Sequence, residues 1–145
     1  MERREALLGI NAILLAAAAQ SAAADEHDQH KGHHGGKHGT LATAAADCIQ
    51  KGEACMSHCI SVLGQGEKEM AACHASVHQT VAICHALRTL ANLDSKRLPG
   101  LARVAMDICK DCEDECRKHE NKHAVCKECG DACSSCYKEC KALAA

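Results

Sequence analysis

No phenylalanine and no tryptophan occur in this chain of 145 residues, and tyrosine occurs once. The large rings that usually dominate core burial are missing, so smaller side chains must fill the interior. There is a single proline and almost no alternation of β-branched with polar residues, which argues against a sheet. Charge of one sign is lacking as well. A formal −2 at pH 7 gives no basis for binding nucleic acid or an acidic membrane surface. Nor is there an acid–base constellation, a glycine-rich nucleotide loop or a nucleophile elbow, so the usual parts of an enzyme are absent.

What is abundant is cysteine, with 13 residues. At about 100° per residue on a helix, Cys55 and Cys59 fall within about 20° of Cys48, and Cys84 within about 20° of Cys73. Cys112 and Cys116 lie about 60° and 20° from Cys109. Cys129, Cys133, Cys136 and Cys140 all stay within about 80° of Cys126. A stripe of that width is the part of a helix that faces a core. The pattern therefore predicts a core built out of thiols.

Local signals divide residues 41–145 into four helices. The first is predicted from about Leu41 to Leu63, ended by Gly64 and Gly66. The second runs from about Glu67 to Ala91, its acidic start suiting the helix dipole. Asn92, Asp94 and Ser95 make a turn, Pro99 sits in the first turn of the third helix, and that helix ends near His119. Asn121 is a candidate cap for the fourth, which continues to about Leu143. Short connections between helices of this length favour an all-α fold, an antiparallel four-helix bundle with a cysteine-lined core.

The leading residues differ in kind. Arg3 and Arg4 precede an apolar run from Ala6 to Ala19, and Ser21 to Ala24 supply small residues for cleavage before Asp25. Residues 1–24 are therefore expected to be an export signal. They are too short and alanine-rich for a lasting membrane span. The paired arginines are similar to a twin-arginine signal, which exports folded proteins, although Glu2 and Glu5 flank them. Residues 25–40, rich in histidine and glycine, are expected to be a flexible linker that weakly chelates divalent metals. Cleavage before Asp25 would leave Asp25-Glu26-His27 as an amino-terminal square of nitrogens suited to Cu(II) or Ni(II).

Three fates for thirteen thiols compete. A short exported chain rich in cysteine is commonly a disulfide scaffold, but the count is odd and parallel Cβ vectors at i+3 or i+4 suit a disulfide badly. Bridges between helices stay open as an alternative. Cysteine as a mere small hydrophobe does not account for thirteen aligned residues. For metals, charge decides: about thirteen thiolates would bring roughly −13 into a low-dielectric interior. Zinc takes about four thiolates per ion, so three ions would leave roughly −7. Cu(I) takes two or three and lets each sulfur bridge two ions, which cancels the charge at about one ion per thiolate. Iron–sulfur clusters need four cysteines converging on one point, whereas these extend over about 20 Å of helix. Multiple Cu(I) ions fit best. A zinc–thiolate or disulfide-stapled bundle, or a copper chaperone delivering few ions, are the alternatives.

The spacings CxxxC at Cys55/Cys59, CxxCxxxC at Cys109/Cys112/Cys116 and CxxCxxxCxxCxxxC from Cys126 to Cys140 resemble those of the bacterial copper storage proteins. The resemblance implies a non-enzymatic protein that stores or buffers many Cu(I) ions in a four-helix bundle. It also implies a histidine and methionines near one open end, where His58 and Met70 match while Val62 and Gln65 stand in place of further methionines. The bundle topology independently puts His58, Met70, His119 and His123 at one pole. It puts Leu41, Leu87, Leu90, Leu93, Leu98, Leu101 and Leu143 at the other, as an apolar plug. Metal is expected to enter at the His/Met pole, through exchangeable neutral ligands.

The expected metal ligands are thus Cys48, Cys55, Cys59, Cys73, Cys84, Cys109, Cys112, Cys116, Cys126, Cys129, Cys133, Cys136 and Cys140, with His58 and Met70. His74, His78 and His85 fall off the thiol stripe, with a weak external metal site at the i,i+4 pair His74/His78. Met56 and Met106 are expected to pack rather than to bind. The partners expected are copper ions and a copper-requiring enzyme or copper chaperone, with no nucleic acid and no membrane for the mature form; a homo-oligomer is compatible with the sequence. The location expected is the bacterial periplasm after export of the folded protein, with the cytoplasm as the alternative.

Overall fold

A computed structural model describes residues 36–144. The expected export signal, residues 25–35 of the expected linker and the Asp25-Glu26-His27 chelate lie outside the described residues. Four helices follow in order: α1 (Gly39–Gly64), α2 (Met70–Asn92), α3 (Leu98–Arg117) and α4 (Ala124–Ala144). There is no strand among the described residues. Each helix packs on two neighbours in the ring α1–α2–α3–α4, and the diagonal backbones stay apart. Connections of a few residues impose this antiparallel arrangement.

The helix ends depart from the expected ones for local reasons. α1 starts at Gly39, two residues before Leu41. α2 starts at Met70 and not at Glu67, because Gly66 turns left-handed (φ 98°) and directs the chain out of the helix. The Glu67 N–H then donates back to the Val62 carbonyl at 3.1 Å, closing the end of α1 and leaving Glu67 to Glu69 in the turn. The α2–α3 turn repeats the device with Asp94 at φ 46° and the Ser95 N–H on the Leu90 carbonyl at 3.0 Å. Aspartate tolerates this conformation better than most residues. Pro99 does lie in the first turn of α3. That helix ends at Arg117, short of His119, and Asn121 is not the cap of α4. His123 holds that position, its carbonyl accepting from the N–H groups of Cys126 (3.0 Å) and Lys127 (3.3 Å).

One close approach shapes the interior. Gly52 on α1 is buried, and a Cβ there would meet Val81 Cγ2 at 2.5 Å and Val77 Cγ1 at 3.5 Å. Glycine lets α1 and α2 touch at mid-height. At the end where α1 begins, Leu41, Leu87 and Leu98 are buried, while Leu90, Leu101 and Leu143 are half-buried against them. Leu93 does not join this plug. It follows the last turn of α2 and is 70% exposed. Met56 and Met106 pack against the core, half-buried. No described helix is long and apolar enough to cross a membrane.

Candidate metal centre

All thirteen cysteines are wholly buried, with 0% exposure. The i+3, i+4 and i+7 spacings turn them inward, and their sulfurs meet across the bundle. Cys48 Sγ lies 3.7 Å from Cys133, Cys55 4.0 Å from Cys59 and 3.9 Å from Cys126. Cys73 lies 3.9 Å from Cys116, and Cys84 3.9 Å from Cys136. These are contacts between thiols, far beyond the roughly 2.05 Å of a disulfide, and every cysteine is free. Four triads bring their sulfurs within 4.8 Å of one another: Cys48/Cys84/Cys109, Cys55/Cys59/Cys73, Cys55/Cys116/Cys129 and Cys112/Cys129/Cys133.

The thiols share their protons unevenly. Contact with Cys109 and then Cys133 brings Cys48 down to about 6. Contacts with Cys116, Cys129 and Cys133, assisted by the Thr80 hydroxyl, hold Cys112 low, and contacts with Cys109 and Cys140 do the same for Cys136. Cys129 is raised by Cys112 but lowered further by Cys116, Cys133 and Cys55, to about 5. The donors move the other way: Cys109 upward through Cys136, Cys133 through Cys112 and Cys116 through Cys112. Burial is the main cause for Cys59, also raised. A few sulfurs can be thiolates only because neighbours keep their S–H groups to donate to them. A soft cation entering this interior replaces those protons.

At the pole where α1 ends and α4 begins, His58 meets His123. Nε2 of His58 is 2.9 Å from Nδ1 of His123, with the rings edge to face at 4.8 Å. Nε2 of His123 is 3.2 Å from the Glu67 carboxylate, which Lys122 also holds at 2.5 Å. Lys122 keeps the Glu67 carboxyl below its ordinary value. A carboxylate only accepts, so His123 Nε2–H donates to it. With His123 neutral, Nδ1 accepts from His58 Nε2–H, and His58 Nδ1 keeps its lone pair for a ligand. His123 is buried and His58 half-buried. Met70 is fully buried in the first turn of α2, but the hydrogen-bond partner of His58 is His123 rather than Met70. The role of Glu67 is invisible in the sequence, since nothing local ties it to a histidine 56 positions away. His74 and His78 stack their rings 6.5 Å apart on the outside of α2, and His85 lies 3.9 Å from Glu53 on the surface.

The family model for the copper storage proteins matches residues 35–145. The chain belongs to the copper storage protein family. It is 28% identical over 102 residues to the cysteine-rich protein YhjQ of Bacillus subtilis, covering 70% of this chain and 91% of the relative. Among solved structures, the apo form of copper storage protein 3 from Bacillus subtilis shares 26% identity with a TM-score of 0.64, over 73% of this chain and 97% of that one. The Cu(I)-bound form of that protein gives a TM-score of 0.65 at 26% identity, over 72% and 95%. The fold is also that of Ccsp from Streptomyces lividans loaded with 10 copper equivalents, with a TM-score of 0.66, 22% identity, and coverage of 74% of this chain and 83% of that one. The family and the clustered thiols support Cu(I) storage in a four-helix bundle.

Proposed function

We propose that this protein stores many Cu(I) ions, approaching one per cysteine, with all thirteen thiolates as ligands and no catalytic activity of its own. The observation that carries the reading is the sharing of sulfurs between triads: Cys55 belongs to two of them and Cys129 to two. A bridging thiolate serves two ions, so charge can cancel throughout the interior. The described groups bring three sulfurs together and not four, which suits Cu(I) better than tetrahedral zinc. Reduced, metal-free protein titrated anaerobically with Cu(I) should saturate near thirteen ions per chain. Saturation at one to four ions would sink storage in favour of a chaperone or a single cluster.

Entry is at the His58/Met70 pole. The lone pair of His58 Nδ1 and the Met70 thioether are neutral ligands, which pass a soft ion to thiolates without trapping it. His58→Ala combined with Met70→Leu, which retains the buried volume, should slow stopped-flow copper uptake severalfold at nearly unchanged capacity. Uptake as fast as in the parent would place the entrance elsewhere, with the leucine end the next candidate. The basic pair Arg3/Arg4 and the apolar run after it support export of the folded protein, and copper held outside the cytoplasm would serve a copper-requiring enzyme or a chaperone there.

A further inference from the structure

The thirteen thiols do not form one evenly connected set. Shared members join three of the triads into a chain from the His58 pole inward, through Cys55 and then Cys129. With Cys126 attached to Cys55 and Cys73 to Cys116, this outer set comprises Cys55, Cys59, Cys73, Cys112, Cys116, Cys126, Cys129 and Cys133. The fourth triad, Cys48/Cys84/Cys109, lies toward the leucine plug. Cys136 touches it through Cys84 at 3.9 Å, and Cys140 follows Cys136 one turn later on α4. No triad mixes the two sets. Of the sulfur contacts of 3.7–4.0 Å among the described residues, the one between Cys48 and Cys133, at 3.7 Å, crosses from one set to the other.

The physical cause is a waist in the thiol lining. α1 has no cysteine between Cys48 and Cys55, and α2 has none between Cys73 and Cys84. Gly52 allows Val77 and Val81 to close that side of the interior. The buried Thr80 hydroxyl lies 3.1 Å from the Ser76 carbonyl, 3.4 Å from the Ile108 carbonyl and beside Cys112, so its one proton is shared among them. At this height α1 and α2 present no sulfur to a metal ion.

We propose that the core is two copper compartments in series, an outer one of eight thiols and an inner one of five, and that Cys133 hands Cu(I) to Cys48 across the waist. This rests on the storage reading above. In the step, an ion held by Cys133 and its triad forms a bond to the Cys48 sulfur, and its bond to an outer thiolate breaks. The Cys48 sulfur accepts the ion as the thiolate, the outer sulfur released keeps the electron pair of the bond that breaks and the negative charge with it, and copper remains Cu(I) throughout. An ion that is always bonded to at least one sulfur never has to exist free in the low-dielectric interior.

Anaerobic stopped-flow uptake of Cu(I) tests this. The parent protein should fill in two phases with amplitudes near eight to five. Cys133→Ser should slow the second phase at least tenfold, whereas Cys126→Ser, which also removes one outer thiol but lies away from the waist, should change it less than twofold. Thr80→Cys provides a second crossing. It stands one turn before Cys84, the spacing that puts Cys55 and Cys59 sulfurs 4.0 Å apart, and beside Cys112. It should speed the second phase in the parent and restore it in Cys133→Ser. Equal second-phase rates in the Cys133→Ser and Cys126→Ser variants, or single-phase filling of the parent, would overturn the proposal. If circular dichroism shows Cys133→Ser unfolded, Thr80→Cys in the parent decides alone, an unchanged second phase counting against two compartments. Saturation near thirteen with one phase sinks the compartments and leaves storage standing; saturation at a few ions sinks storage itself.

Discussion

Filling the reduced protein with Cu(I) should raise its unfolding temperature by tens of degrees. A ligand that binds only the folded state adds about 2.7 kcal/mol when its free concentration is a hundred times its dissociation constant. Four such ions would add about 11 kcal/mol, comparable to the whole stability of an ordinary domain, about 5–15 kcal/mol. For a domain near this size each kcal/mol corresponds to roughly 4 °C or more. The sites exist only in the fold, since the triads draw sulfurs from α1, α2, α3 and α4. The gain should also depend on pH. Protons compete for the same sulfurs: Cys109, Cys116 and Cys133 are pushed up and must each give up a proton to an ion, while Cys48, brought down to about 6 through Cys109, and Cys129, at about 5, lose theirs near or below neutrality. Copper stabilisation should therefore weaken progressively as pH falls and be far smaller at pH 4 than at pH 7. Calorimetric scans of metal-free and loaded protein at pH 7 and pH 4 read both effects. An unfolding temperature unmoved by copper would mean that the ions sit on the surface and not in the thiol interior.

Leu87→Ala together with Leu98→Ala should leave the metal-free protein largely unfolded at room temperature, or close to it. Both leucines are 0% exposed at the end opposite His58, and each truncation of a buried leucine costs about 2–5 kcal/mol. With few other large apolar side chains, and the half-buried Tyr137 as the one aromatic hydrophobe packed against this core, little can move in to fill the gap. Copper should recover much of the lost helicity by mass action on the folded state. Equilibrium denaturation followed by circular dichroism, with and without copper, measures it. A loss below about 1 kcal/mol in the metal-free form would show that the leucine end is not what holds the apo bundle together.

The part of this architecture that could be read from the chain is the part that depends on one helix at a time. A period of 3.6 residues fixes the direction of Cys48, Cys55 and Cys59 on their own helix, and the same holds for the five cysteines of α4. From those directions follow four inward stripes, a thiol interior and a preference for a soft ion. Local residue preference misplaces the Glu67 to Glu69 segment and Asn121, because it does not weigh the closures that decide helix ends, such as Gly66 with Glu67 on Val62. Leu93 escapes the leucine plug for a related reason, since the turn after α2 carries it away from the face it would occupy on a continued helix.

Composition and periodicity, by themselves, determined an all-helical bundle with its cysteines inside, because azimuth on a helix is a property of sequence spacing. Only the tertiary structure decided which sulfurs meet, because that depends on how far each helix slides along its neighbour. The slide is set by the turns and by the contact of Gly52 with Val81. It pairs Cys48 with Cys133 across 85 positions and His58 with His123 across 65. It also leaves α1 and α2 without sulfur at mid-height, dividing the interior in two.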